Sequence, residues 1–234
     1  MEAEKGINML NKLINAVKQS FKQPEPVNPA SFDDPVALET TWTPAKRGGA
    51  NFCTHKLRRI NPSRCEFKIT AGAMLFSVLF LAVGIGVLIA ALVMLGGQGL
   101  SGQVLPLLMM TVLGLVFSAV GAGLLARQSI PTVLDTKLGL CWKGRKDPRM
   151  VAARDKMKLC LSLDEVHAIQ LISEHCRSSG ENSRSYYSYE LNLVRHDGSR
   201  VNLVDHGNAK RIRQDADLLS NCLGVPVWDA ARHR

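Results

Sequence analysis

From Ile69 to Ala126 the chain carries no Asp, Glu, Lys, Arg or His, and all its charge lies on either side. A soluble bundle scatters charge over every helix surface, so an uncharged stretch of this length predicts surroundings in which ions are costly. The glycine-rich run Gly96-Gly97-Gln98-Gly99-Leu100-Ser101-Gly102-Gln103 divides it and predicts a tight turn. The pattern predicts a membrane hairpin over residues 71–126, with helices at 71–95 and 104–126. At 1.5 Å per residue these reach roughly 37 and 34 Å, enough to cross a hydrocarbon core of about 30 Å. Pro106 falls in the first turn of the second helix, where its missing N–H costs little.

Small residues recur along both spans. Ala82, Gly86 and Ala90 repeat at every fourth position on the first, and Gly114, Ser118, Ala122 and Ala126 do so on the second. Such stripes let helix backbones approach closely where lipid removes the hydrophobic drive. They are expected either to pack the hairpin together or to meet another membrane protein or a second copy.

Helical spacing also marks the N-terminus. Ile7, Leu10, Leu13, Ile14, Val17 and Phe21 fall on one face of a helix over residues 1–23, with Lys5, Lys12, Lys18 and Lys22 on the other. This amphipathic helix either lies along a headgroup surface or packs on the protein's own domain, and its spacing also permits a short coiled coil. It lacks the continuous apolar run of a signal peptide.

Elsewhere the alternation has period two. Residues 24–70 hold a Pro-rich link and three strand-like runs, Val36–Thr43, Asn51–Ile60 and Arg64–Thr70, with Asn61-Pro62-Ser63 as a turn. Residues 127–234 resume the pattern at Thr132–Leu134, Leu138–Lys143, Lys158–Leu163, Val166–His175, Tyr186–Arg195 and Arg200–Val204. Asp197-Gly198 is a strong hairpin turn that sets Leu191 near Val204. A closing helix over 209–223 has Asn208 as N-cap and Gly224 as C′ residue, and Val225-Pro226-Val227-Trp228 supplies apolar anchors. The fold class expected is therefore a two-helix membrane hairpin plus a mainly-β (α+β) domain with one C-terminal helix.

Charge sets the orientation. The formal net charge is +9. Lys56, Arg58, Arg59, Arg64 and Lys68 precede the first span, Arg127, Lys137, Lys143, Arg145 and Lys146 follow the second, and the loop between carries none. Both flanks and both termini are expected in the cytoplasm. Lys12, Lys18, Arg58, Arg59, Arg145, Lys146 and Arg149 are the expected contacts with anionic headgroups. This reading leaves no call for a nucleic-acid surface.

Candidate chemistry is sparse. The six cysteines form no CxxC pair and read as buried thiols in a reducing compartment. His196 and His206 fall at opposite ends of the Asp197-Gly198 ribbon, and His167 and His175 lie too far apart along one strand to share an ion. No Walker loop, GxSxG, HExxH or Rossmann glycine pattern occurs. No enzyme activity, cofactor or metal is expected.

About seven short strands, split by the hairpin and closed by one helix, resemble the small bacterial inner-membrane proteins that combine two spans with a pleckstrin-homology-like (PH-like) cytoplasmic domain. The resemblance covers strand order and the terminal helix and carries over no site residue. It implies a non-enzymatic binding or scaffolding role beside the membrane. The alternative is an accessory subunit of an inner-membrane transport, respiratory or envelope complex.

Overall fold

The computed structural model describes residues 27–45, 48–98, 104–151, 157–177 and 185–231. The expected N-terminal helix, with Lys12 and Lys18, lies outside them. Among the described residues, two sheets, two long helices and a C-terminal helix form the chain.

The first sheet is antiparallel throughout, in the order β1 (His55–Asn61), β2 (Arg64–Ile69), β3 (Thr132–Asp135), β4 (Leu140–Lys143) and β5 (Cys160–Ser162). Its β1–β2 turn forms because the Ser63 amide donates to Asn61 Oδ1 at 3.0 Å, an Asx turn built on the Asn-Pro-Ser signal. Strands β2 and β3 pair directly, with Cys65 opposite Leu134 and Phe67 opposite Thr132. The strands before and after the long helices therefore share one sheet, and the helices are an excursion between neighbours.

The second sheet runs β8 (Arg200–His206), β7 (Ser185–Arg195), β6 (Val166–Arg177) and β9 (Val227–Asp229). The β7–β8 turn has Gly198 at φ 74° and the Ser199 amide donating to Asp197 Oδ1 at 2.9 Å, so Leu191 pairs with Val204. The apolar anchors after the last helix become β9, parallel to β6.

Helix α1 (Pro35–Glu39) replaces the first half of the strand expected at Val36–Thr43. Asp34 Oδ1 accepts from the Val36 amide at 2.9 Å and Pro35 stands at the first helical position, so local capping outweighs the β-branched pattern. Around α1, residues 27–45 and 48–51 run as a strap over the outer face of the second sheet. Phe32 stacks on Trp42 at 4.9 Å, and both pack near Trp228, Ala168 and Val194. Further along, Gln170 Nε2 donates to Thr41 O at 3.1 Å and the Ala45 amide donates to Glu190 Oε2 at 3.0 Å.

The main core lies between the sheets and under α4 (Ala209–Leu223). Phe67, Leu134, Cys141 and Leu161 come from one sheet, and Ile169, Leu171, Leu191 and Leu193 from the other. Ile212, Ala216 and Leu219 close it from α4. Asn208 Oδ1 caps α4 through the Arg211 amide at 3.0 Å, and Gly224 ends it at φ 72°. Cys65 of β2 and Cys222 of α4 are bonded to each other, where separate thiols were expected. Their separation of 157 residues hides the pairing from any spacing rule.

Helices α2 (Ala71–Gln98) and α3 (Val104–Gln128) pack on each other, and each is long and apolar enough to cross a membrane. Their seam is made by Ala73, Ser77, Gly84 and Ala91 on α2 and by Gly114, Ser118 and Gly121 on α3. Ala82, Gly86, Ala90 and Ala122, expected on a packing stripe, point away from the seam, and a Cβ at Gly86 would meet nothing within 4 Å. On α3 the stripe begins on the seam at Gly114 and Ser118 and drifts off it by Ala122, because small residues at heptad spacing stay on a left-handed seam and an every-fourth-residue stripe does not. On α2 the stripe lies on a different face from the seam residues Ser77, Gly84 and Ala91 along its whole length.

Candidate functional site at the helix–sheet junction

Two capping residues join the sheet to the long helices. Thr70, at the end of β2, has an Oγ1 that accepts from the Ala73 amide at 3.3 Å and donates to Cys53 O at 2.8 Å. One hydroxyl thus caps α2 and ties it to the strand lead-in. His55, at the start of β1, serves the other helix. Its Nε2 lies 2.9 Å from Gln128 O, a C-terminal carbonyl of α3, and its Nδ1 lies 2.9 Å from Thr54 Oγ1. A carbonyl only accepts, so Nε2 carries the proton and Nδ1 receives the threonine hydroxyl. Burial lowers the His55 pKa; the Gln128 bond opposes this and nearby Lys143 adds to the lowering.

Beside this junction the chain forms a groove of about 870 Å³. Arg127 enters it from the last turn of α3, Lys143 from the end of β4, Arg145 from the turn that follows and Lys158 from the approach to β5. Ala126, Ile130 and Met157 give it an apolar side. The backbone is fixed by the Lys143 amide donating to Leu159 O at 3.1 Å and the Gly144 amide donating to Pro131 O at 3.0 Å.

A second groove, about 300 Å³, adjoins it and shares Arg145. It holds Arg64, Glu66 and Lys68 of β2, whose charges are satisfied internally. Glu66 accepts from Arg64 at 2.7 Å and from Lys68 at 3.0 Å. Burial opposes ionisation of Glu66, but these two cations outweigh it and hold the carboxyl below its usual range. Arg64 also lies 5.5 Å above the Trp142 ring, a cation–π contact.

Of the basic residues singled out in the sequence, Arg145 lines both grooves. Lys146 is exposed next to it. Arg149 is committed to Asp147, with Nη2–Oδ2 at 2.7 Å. Arg58 and Arg59 project from β1 toward the β1–β2 turn, and Arg59 donates to Pro62 O at 2.9 Å. Arg127, Lys143 and Lys158 complete the larger groove, and the pairing of β4 with β3 and β5 brings them together.

Elsewhere, a β-bulge between Val166 and Ala168 re-aims His167. Its Nε2 meets Asp34 Oδ2 at 2.8 Å and its Nδ1 meets His196 Nδ1 at 3.2 Å, a three-residue polar chain that strand spacing alone does not reveal. It ties the strap to the edge of the second sheet, and neither groove includes it. Among the described residues, no group of three or more His, Cys, Asp or Glu is placed to hold a metal ion. Comparison with protein-family models, with curated proteins and with solved structures finds no match for this chain.

Proposed function

We propose that the chain is a membrane-anchored, non-enzymatic binding module. The α2–α3 hairpin spans a bacterial inner membrane, both polar flanks face the cytoplasm, and the two-sheet domain with its C-terminal helix is a PH-like platform held against the headgroups. The observation that carries the reading is the meeting of two surfaces. Leu75, Leu92, Val93, Leu105 and Met109 leave the helix pair apolar on its outside, a far larger patch than a soluble monomer tolerates. That apolar surface ends at the helix–sheet junction held by His55 and Thr70, beside the basic groove. Charge asymmetry across the hairpin supports the cytoplasmic orientation.

Alkaline carbonate extraction of native vesicles tests the anchor, and protease access to a tag after Arg234 tests the orientation. Retention in the pellet, with the tag protected in right-side-out vesicles, is expected. Release into the supernatant removes the anchor, and cleavage from outside removes the orientation.

A second reading is favoured by the outward position of Ala82, Gly86 and Ala90, which the hairpin itself does not use. On that reading the chain is an accessory subunit of an inner-membrane transport, respiratory or envelope complex. A stoichiometric partner retained in mild detergent and lost on Gly86→Leu is its expected signature.

A further inference from the structure

We propose that the groove of Arg127, Lys143, Arg145 and Lys158 is a binding pocket for the phosphate headgroup of an anionic membrane lipid. The inference rests on the membrane-anchored reading above and adds to it a defined site and a ligand class.

Three observations converge. The first is unneutralised charge. Four cations from α3, β4, the β4 exit and the β5 approach line one groove. None of the four has an ion-pair partner among the described residues, whereas Arg64 and Lys68 share Glu66, Arg149 holds Asp147, Arg195 holds Glu165 and Arg213 holds Asp229. These four are gathered in one groove with no ion pair of their own among the described residues, and guanidinium and ammonium groups both suit phosphate oxygens.

The second is the mixed lining. Ala126, Ile130 and Met157 line the groove together with the four cations. A free inorganic anion has no use for the apolar part of that lining. A phosphodiester with glycerol and the first acyl carbons attached fits both, and the volume of about 870 Å³ lies in the range of small-molecule sites.

The third is position. Ala126 and Arg127 belong to the last turn of α3, so the groove opens where the uncharged stretch ends. In a spanning hairpin that is headgroup depth. His55 fixes the α3 end against β1, and the Gly144–Pro131 and Lys143–Leu159 backbone bonds fix the strand end beside it. The cations are thus mounted on a framework and not on a free tail, which separates a pocket from a diffuse basic surface.

The test uses the full chain purified in mild detergent from membranes of defined composition. Retained lipid is measured by native mass spectrometry after exchange into phosphatidylglycerol or phosphatidylcholine. The groove variant is K143Q/R145Q/K158Q, with Arg127 kept so that the charge flanking the span is undisturbed. The control K137Q/K210Q/R211Q removes the same charge from exposed positions outside the groove. Each basic residue near an anionic surface is worth a factor of about five, so the groove variant is expected to lose phosphatidylglycerol retention by at least about tenfold. The control should stay within about twofold of the parent chain. Equal losses in both variants, or equal retention of the two lipids by the parent, would overturn the pocket. Displacement of phosphatidylglycerol by millimolar glycerol 3-phosphate, with no preference for the lipid, would assign the groove to a soluble phosphate compound and overturn the lipid source. Carbonate extraction of the same preparations keeps the two readings apart: a chain that stays in the membrane without selecting anionic lipid loses only the pocket.

Discussion

Alanine substitution at four glycines separates the helix seam from the outward surface of the helix pair. At Gly84 an added Cβ would lie 2.4 Å from the Ser118 backbone nitrogen and 2.8 Å from Gly114 O. At Gly121 it would lie 2.4 Å from the Leu81 nitrogen and 2.8 Å from Leu81 Cα. These obstacles are backbone atoms and cannot swing aside. Ordinary contact begins at 3.4 Å, so either substitution must part the helices locally by about 1 Å. A gap of that size forfeits a quarter to a half of each dispersion contact it opens, and overpacking of this kind typically costs about 1–3 kcal/mol. At Gly86 and Gly123 the same Cβ meets nothing within 4 Å, and alanine there gains up to about 1 kcal/mol of helix propensity. The two pairs should therefore move in opposite directions. Reversible unfolding in mixed micelles at rising SDS fraction, followed by far-UV circular dichroism, reads this difference. Gly84→Ala and Gly121→Ala should unfold at lower SDS than the parent, and Gly86→Ala and Gly123→Ala at the same or higher SDS. Four indistinguishable midpoints would refute the seam.

Other expectations concern the caps, the buried titratable groups and the cysteine pair. Thr70→Val removes the hydroxyl shared by the Ala73 amide and Cys53 O, and should cost about 1–2 kcal/mol in thermal or chemical unfolding, while Thr70→Ser restores most of it. His206 is buried, and burial, aided by Arg211, pushes its pKa down to about 4 from 6.5. Its folded-state value lies below the unfolded one, so its contribution is present above pH 6.5 and lost as pH falls through 4. His206→Gln should flatten the decline in melting temperature across that window. Asp215 runs the other way. Burial pushes its carboxyl up to about 6 from 3.8, against the Leu57 amide and the Lys56 and Arg211 charges. The fold favours the protonated acid, and this preference is lost as pH rises from 3.8 through 6. Asp215→Asn should raise the melting temperature at pH 8 and leave it nearly unchanged at pH 4. Finally, reduction of the Cys65–Cys222 bond in the purified chain should cost about 2–5 kcal/mol of stability in chemical unfolding. Equal midpoints with and without reductant would refute that contribution.

Features written in neighbouring residues were readable in the sequence. The uncharged stretch, the Asp197-Gly198 turn with its Leu191–Val204 register, and α4 with Asn208 and Gly224 at its ends each depend on local pattern alone. Where a short segment carried two competing signals, the stronger one was easily misjudged. Val36–Thr43 alternates like a strand, yet Asp34 and Pro35 start a helix one residue earlier. The stripe of Ala82, Gly86 and Ala90 is a real regularity on a face other than the seam, which Ser77, Gly84 and Ala91 form. The candidate site was half legible: Arg145 stands out beside the span, but Arg127, Lys143 and Lys158 become its neighbours only once β4 pairs with β3 and β5. The Cys65–Cys222 bond and the Asp34–His167–His196 chain are likewise products of tertiary folding. The latter depends on a one-residue bulge that no alternation rule foretells.

Placement of the hairpin between two paired strands bears on how the protein is made. As β2 leaves the ribosome, its partner β3 has not been synthesised, and on the membrane-anchored reading proposed above the intervening chain is first delivered to the bilayer. During that interval β2 offers an open row of amides and carbonyls to any passing strand, a state prone to aggregation. On that reading insertion acts as a gate on domain assembly, and a lesion that delays it should show itself first as a misfolded two-sheet domain.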